Sequence, residues 1–120
     1  MAATIVHFEL PAADAGRATA FYSGLLGWQF SEAGISDVDY RMVQGEPGGA
    51  VYQTDDAARG VTIYFGTDDI DASLAKVREL GGSGDDKAPV AGIGWFARCT
   101  DTEGNAFSLF QSDDSVAPPT

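Results

Sequence analysis

The amino-acid sequence predicts an α+β fold in which two βαβββ modules form a curved mixed sheet around a shared cleft. Three observations lead to this prediction: strand-like alternation, two amphipathic helical segments, and the same element order in both halves. A length of 120 residues suits one domain. We expect that domain to span residues 1–112, with modules at about 1–56 and 60–112. Residues 113–120 lack apolar periodicity and are expected to form a mobile tail.

The first module opens with a strand at Thr4–Leu10, where apolar and polar side chains alternate. Alternation places Ile5, His7 and Glu9 on one face and Val6, Phe8 and Leu10 on the other. An amphipathic helix follows, with Asp14 as its N-cap and Gly27 as its left-handed C-terminal cap. Three more strands complete the module, at Trp28–Phe30, Tyr40–Gln44 and Ala50–Gln53.

The second module repeats this order. A strand at Val61–Thr67 precedes a helix that begins among aspartates near Asp69 and ends at Gly81-Gly82. The stretch that leads to Val90 contains at most a weak strand, and the final strands are predicted at Trp95–Thr100 and Ala106–Gln111. The repeat is also visible in the letters, because VYQTDD at Val51–Asp56 resembles LFQSDD at Leu109–Asp114.

Composition restricts the partners and the chemistry of the chain. Seven basic and eighteen acidic residues give a net charge of −11, which argues against nucleic-acid and anionic-membrane partners. The single cysteine, Cys99, excludes an intrachain disulfide and is expected to be a small buried residue. The sequence shows no signal peptide and no apolar run of membrane-spanning length, so a cytoplasmic location is expected.

Strand alternation also predicts which side chains line the cleft. The ligand-binding candidates are mostly aromatic or small, with few ionisable groups, which suits a small, partly aromatic organic ligand. These candidates are Tyr40, Met42, Tyr52, Thr62, Tyr64, Trp95, Ser108 and Phe110. For Tyr40–Gln44 and Trp95–Thr100 the pattern is ambiguous, and we favour Tyr40 and Met42, and Trp95 and Ala97, as the cleft-facing residues.

Three segments resemble the vicinal oxygen chelate superfamily, which includes glyoxalase I, extradiol dioxygenases and the fosfomycin and bleomycin resistance proteins. The segments are IVHFELPAAD…RATAFYSGLLGW at Ile5–Trp28, VTIYFGTDDIDASLAKVRELGG at Val61–Gly82, and DTEGNAFSLFQ at Asp101–Gln111. The resemblance implies a homodimer. It also implies divalent-metal ligands on the first and fourth strands of each module.

Only His7 matches that ligand set. The other positions fall on Thr62, on Ser108 and near Ala50. Because a catalytic metal usually has three protein ligands, we expect no tightly bound metal and no other cofactor.

Two functions remain open at the level of sequence. The chain is expected to bind a small organic molecule without a metal, as bleomycin-resistance-type members do. Alternatively it is an enzyme of the superfamily, a lyase, isomerase or dioxygenase-like protein. Such an enzyme would either be metal-dependent or use His7 and Glu9 as catalytic acid–base residues.

Overall fold

The computed structural model describes residues 2–32, 38–56 and 60–117. The first half contains β1 (Ile5–Ala12), α1 (Ala15–Leu26), β2 (Phe30–Glu32), β3 (Tyr40–Val43) and β4 (Gly48–Gln53). The second half contains β5 (Thr62–Gly66), α2 (Ile70–Glu79), β6 (Ser83–Gly84), β7 (Ala88–Val90), β8 (Gly94–Thr100) and β9 (Ala106–Ser112). The chain forms two compact units: residues 7–62, and the residues up to Val6 together with those from Ile63 onward.

The unit of residues 7–62 is a four-stranded sheet covered on one face by α1. Its strand order is β2-β3-β4-β1, with β1 parallel to β4 and the other pairs antiparallel. Val51, Ala12 and Ala15 form the buried centre between this sheet and α1. Further apolar side chains pack around them: Leu10, Ala18, Tyr22 and Phe30.

The second unit is also a sheet covered by one helix, with two short strands at its edge. Strand β5 is parallel to β9, and β8 pairs with β9 in antiparallel register. Both β6 and β7 pair with β8. Helix α2 packs on this sheet through Ile70 and Leu74, which are buried with Ala97, Cys99 and Leu109. Cys99 is buried, which confirms the expectation of a small buried residue at this position, and its burial raises the pKa of the thiol.

The repeated letters have a structural reason. Gln53 and Gln111 occupy the same place in VYQ and LFQ, and each accepts a hydrogen bond from the first residue of a helix. The Oε1 atom of Gln53 lies 3.2 Å from the backbone N of Ala15, and that of Gln111 lies 2.9 Å from the backbone N of Ile70. Each glutamine thus satisfies an N–H that has no partner within the helix, and ties the end of a strand to the start of the helix.

The predicted helix caps are confirmed at both N-termini. Asp14 accepts a hydrogen bond from the backbone N of Arg17, and Asp69 accepts one from the backbone N of Ala72. Gly27 ends α1 with a φ of 73°, as predicted. Helix α2 ends one residue earlier than predicted, with Leu80 as its C-cap, and Gly81 follows with a φ of 96°.

Two segments differ from the sequence prediction. Strand β2 begins at Phe30 instead of Trp28, because the Trp28 ring packs 5.8 Å from those of Phe8 and Tyr22. Strand β2 ends at Glu32, two residues beyond the predicted end at Phe30, and residues 33–37 lie outside the described chain. In the predicted tail, Val116 is buried and its carbonyl accepts a hydrogen bond from the backbone N of Gly92. Within the described residues, no helix is long and apolar enough to cross a membrane.

Candidate functional site

Three polar side chains form a continuous hydrogen-bonded chain on the sheet face opposite α1. The Tyr40 hydroxyl donates to Oε2 of Glu9 at 2.7 Å, and the same hydroxyl lies 2.8 Å from Nε2 of His7. The His7 and Tyr40 rings are nearly parallel, with 15° between their planes. All three residues are half-buried. The predicted acid–base pair is thus joined by a tyrosine instead of by direct contact.

Strand register explains how Tyr40 reaches the other two residues. Tyr40 lies on β3, and His7 and Glu9 lie on β1, so β4 runs between them. The β4 residues opposite His7 and Glu9 are Gly48 and Ala50. Because neither has a side chain beyond Cβ, the tyrosine ring can extend over β4 to β1, a span of about two strand spacings.

Two other predicted lining residues lie on the same face of this unit. Tyr52 is the direct partner of Tyr40 in the β3–β4 pair, and their ring centroids are 6.4 Å apart. Met42 pairs with Ala50, two residues further along the same strands and on the same face. Thr62 begins β5 and is half-buried. The structure therefore brings His7, Glu9, Tyr40, Met42 and Tyr52 onto one surface, which we call the β1–β3 face.

The remaining predicted lining residues belong to the second unit. Tyr64 pairs directly with Ser108, and Phe110 pairs with Phe96, so these four residues lie on the sheet face away from α2. Ser108 is 1% exposed, and its hydroxyl has no hydrogen-bond partner in the described part of the chain. An unpaired buried hydroxyl costs about 1–3 kcal/mol. Arg98 pairs with Ser108 and is exposed.

The expected direction of Trp95 and Ala97 was wrong. Both belong to the cluster that packs on α2, because they pair with Gln111 and Leu109 on the helix-covered face. The Trp95 ring is also engaged at both ends. Its Nε1 donates to Asp113 at 3.3 Å, and Lys87 Nζ lies 4.5 Å from the ring centroid. Trp95 therefore packs on the side of α2. Phe96 lies on the opposite face, to which Trp95 had been assigned.

Arg41 lies on the helix side of its sheet. Its guanidinium donates to both carboxylate oxygens of Asp39, at 2.9 and 3.0 Å, and to the Thr19 hydroxyl at 3.1 Å. The hydrogen bond from Arg41 lowers the pKa of the Asp39 carboxyl. Arg41 also borders a groove of about 490 Å³ between α1 and the β2–β3 edge, on the opposite side of the sheet from His7.

Comparison with known proteins identifies the family. Residues 6–110 match the model of the glyoxalase-like domain. The chain belongs to this family. No curated protein sequence matches it significantly.

Solved structures agree with the family model. A hypothetical protein from Bacillus halodurans C-125 is 16% identical and superposes with a TM-score of 0.76, covering 98% of this chain and 100% of that one. Methylmalonyl-CoA epimerase from Mycobacterium tuberculosis is 17% identical, with a TM-score of 0.72 and coverage of 94% and 93%. A methylmalonyl-CoA epimerase in complex with methylmalonyl-CoA and NH4+ is 19% identical, with a TM-score of 0.70 and coverage of 97% and 99%. These likenesses confirm the α+β fold. The glyoxalase-like family model, which matches residues 6–110, places the chain in the vicinal oxygen chelate superfamily.

The donor set of this glyoxalase-like chain does not fit a three-ligand metal centre. His7 Nε2 is hydrogen-bonded to Tyr40, and the fourth-strand position near it is Ala50, which carries no donor atom. The other two positions carry the hydroxyls of Thr62 and Ser108, which are weak ligands for divalent metals. No group of three or more His, Cys, Asp or Glu residues suited to a metal occurs in the described ranges.

Burial sets the protonation of His7. Desolvation lowers its pKa below the ordinary value of 6.5, and the negative charge of Glu9 partly opposes this effect. The imidazole of the folded protein therefore resists protonation more than that of the unfolded chain does.

This difference predicts a pH dependence of stability that belongs to one residue. As the pH falls through 6.5, the unfolded chain binds a proton at His7 first, so the folded state loses stability relative to it down to the folded pKa. His7 is the only histidine, so His7→Gln removes the whole contribution. We expect wild type to lose more stability than His7→Gln in urea unfolding between pH 7.5 and pH 5.5 (about one unit either side of the ordinary histidine pKa). Equal losses would contradict the assignment.

Proposed function

We propose that this glyoxalase-like protein binds a small, partly aromatic organic molecule on the β1–β3 face and does so without a tightly bound metal. The observation that carries the proposal is the hydrogen-bonded chain of His7, Tyr40 and Glu9 beside the Tyr52 ring. An imidazole, a phenol and a carboxylate offer donors and acceptors to a polar ligand group. The tyrosine rings and the Met42 side chain offer apolar contact to the rest of the ligand.

Charge narrows the class of ligand. The β1–β3 face carries a carboxylate and a histidine whose pKa is lowered, and Arg41 lies on the other side of the sheet, where it bonds Asp39. A net charge of −11 adds a field that disfavours anions. We therefore propose a neutral ligand with hydroxyl or carbonyl groups, such as a hydroxylated aromatic compound. We do not propose a CoA ester, the kind of ligand named for the similar epimerase structures, because the phosphates of CoA are anionic.

A second function is favoured by the same chain of hydrogen bonds and by the likeness in fold to epimerases. A neutral imidazole with a lowered pKa can act as a general base near neutral pH. Proton removal from a carbon next to a carbonyl group is a reaction that such a base performs without a change of redox state. In this alternative, His7 takes the proton, and the charge of Glu9 stabilises the imidazolium through Tyr40.

The binding proposal is tested by a thermal-shift screen with neutral hydroxylated aromatics and neutral carbonyl compounds. A ligand at 100 times its Kd stabilises the folded state by about 2.7 kcal/mol, which gives a readily measured rise in melting temperature. We expect the rise to shrink in Tyr40→Phe and in Met42→Ala. Tyr22→Phe is the matched control, because it removes a tyrosine hydroxyl from the helix side of the same unit.

Two results would overturn this proposal. One is a screen in which no compound of these classes stabilises the wild type, or stabilises all variants equally. The other is elemental analysis of protein purified without chelators that finds one divalent metal per chain, absent from His7→Ala. The first result removes the ligand site, and the second removes only the metal-free part of the proposal.

The homodimer and the cytoplasmic location remain parts of the proposal. The superfamily resemblance supports the homodimer. Sedimentation equilibrium at micromolar concentration tests it, since a mass near twice 12.5 kDa is expected. Cell fractionation tests the location.

A further inference from the structure

We propose that Tyr40 is a positioning residue that holds His7 in the Nε2–H tautomer and connects it to Glu9, so that Nδ1 is the basic nitrogen of the site. This inference deepens the proposed function and rests on it for its biological meaning. The protonation state itself can be measured without any ligand.

The hydrogens available on Tyr40 and His7 determine the tautomer. A phenol hydroxyl has one hydrogen, and Tyr40 donates it to Oε2 of Glu9 at 2.7 Å. The contact of 2.8 Å between the same oxygen and His7 Nε2 then needs its hydrogen from the imidazole. A neutral imidazole carries one N–H, so its lone pair is on Nδ1.

The surroundings hold Tyr40 in this geometry. The β4 residues that face His7 and Glu9 are Gly48 and Ala50, which leave space for the ring and offer no competing polar side chain. Tyr52, the direct strand partner of Tyr40, lies beside its ring. The near-parallel planes of His7 and Tyr40 keep the hydroxyl close to the edge of the imidazole.

The arrangement has a chemical consequence. When Nδ1 accepts a proton, both ring nitrogens become donors, and the Nε2–H bond to Tyr40 becomes a charge-assisted one. The positive charge is then balanced by Glu9 through the tyrosine hydroxyl, with no proton leaving Tyr40. Tyr40 thus determines which ring nitrogen carries the lone pair and stabilises the cation that would form.

Nitrogen NMR on labelled protein tests this directly, because the chain has a single histidine and gives one set of imidazole signals. At a pH above the His7 pKa, we expect the wild type to show an N–H at Nε2 and a lone pair at Nδ1. Tyr40→Phe removes the acceptor and should convert the ring to a mixture of tautomers. Glu9→Gln keeps an acceptor for the Tyr40 hydroxyl, so it should keep the tautomer but lower the pKa of His7, because the charge that raises this pKa is removed.

Tyr22→Phe serves again as the control that leaves the His7 signals unchanged. Circular dichroism spectra equal to that of the wild type show that each variant is folded. An Nδ1–H tautomer in the wild type, or an unchanged tautomer in folded Tyr40→Phe, would overturn the inference. These results are separate from a failed ligand screen, which would remove the proposed function and leave the tautomer assignment intact.

Discussion

Gly94→Ala is expected to lower the free energy of unfolding by about 3 kcal/mol, the upper end of the usual range for overpacking. Gly94 is buried at the start of β8, opposite Ser112 of β9. A Cβ atom at this position would overlap the carbonyl oxygen of Gln111 and come within 3.0 Å of the Phe110 ring. The carbonyl belongs to the paired strand, so relief requires a shift of the backbone and weakens the β8–β9 ladder.

Urea unfolding measures this effect, with Gly24→Ala as the matched control. Gly24 lies in α1, and within the described residues no heavy atom beyond its chain neighbours and its own helix backbone would lie within 4 Å of an added Cβ. Alanine is the better helix former, so the control should gain about 0.5–1 kcal/mol. Opposite signs for the same chemical change would show that the close approach of β9 sets the cost. A wild-type stability for Gly94→Ala would contradict the tight packing.

The order of the elements was predictable because it depends on local periodicity. Alternation in β1, the apolar stripes of the helices and the caps at Asp14 and Asp69 are each encoded within a few residues. The internal repeat of VYQ and LFQ was also visible. Its cause was not, since the hydrogen bonds that Gln53 and Gln111 accept from the first helix residues join positions 38 and 41 residues apart.

The site was predictable only in part. Alternation placed His7, Glu9, Tyr40 and Tyr52 on one face of their sheet. It could not show that Tyr40 bridges the other two, because that contact crosses β4 and depends on Gly48 and Ala50 being small. The sequence analysis treated Ala50 only as a position that lacks a metal ligand. The small size of this residue also leaves space for the Tyr40 ring, and that consequence was missed.

The direction of the Trp95 side chain was predicted wrongly. In β8, apolar residues occupy consecutive positions from Trp95 to Ala97, so alternation does not define which face is covered by α2. Which residues of β8 face α2 depends on the pairing with β9, where Leu109 lies opposite Ala97. A tryptophan in such a run is oriented by its neighbours in space, here Asp113 and Lys87, and the sequence pattern does not specify them.

His7→Gln has the largest expected effect on activity if the second function holds. For a bound neutral ligand with an acidic C–H next to a carbonyl group, the wild type should catalyse exchange of that hydrogen with deuterated water. Loss of a general base typically lowers the rate 10²–10⁴-fold. Since glutamine keeps an N–H that can donate to Tyr40, binding should change little, and the loss should appear in kcat and not in KM.

Companion variants distinguish a base from a residue that only shapes the site. Glu9→Gln should retain exchange but with a lower apparent pKa, because it removes the charge that raises the pKa of His7. Tyr40→Phe should lose part of the rate, since a mixture of tautomers presents the basic nitrogen to the ligand only part of the time. A pH profile that is the same in wild type and Glu9→Gln would exclude His7 as the base. Absence of exchange with every bound ligand on the wild type would leave binding as the function of the β1–β3 face.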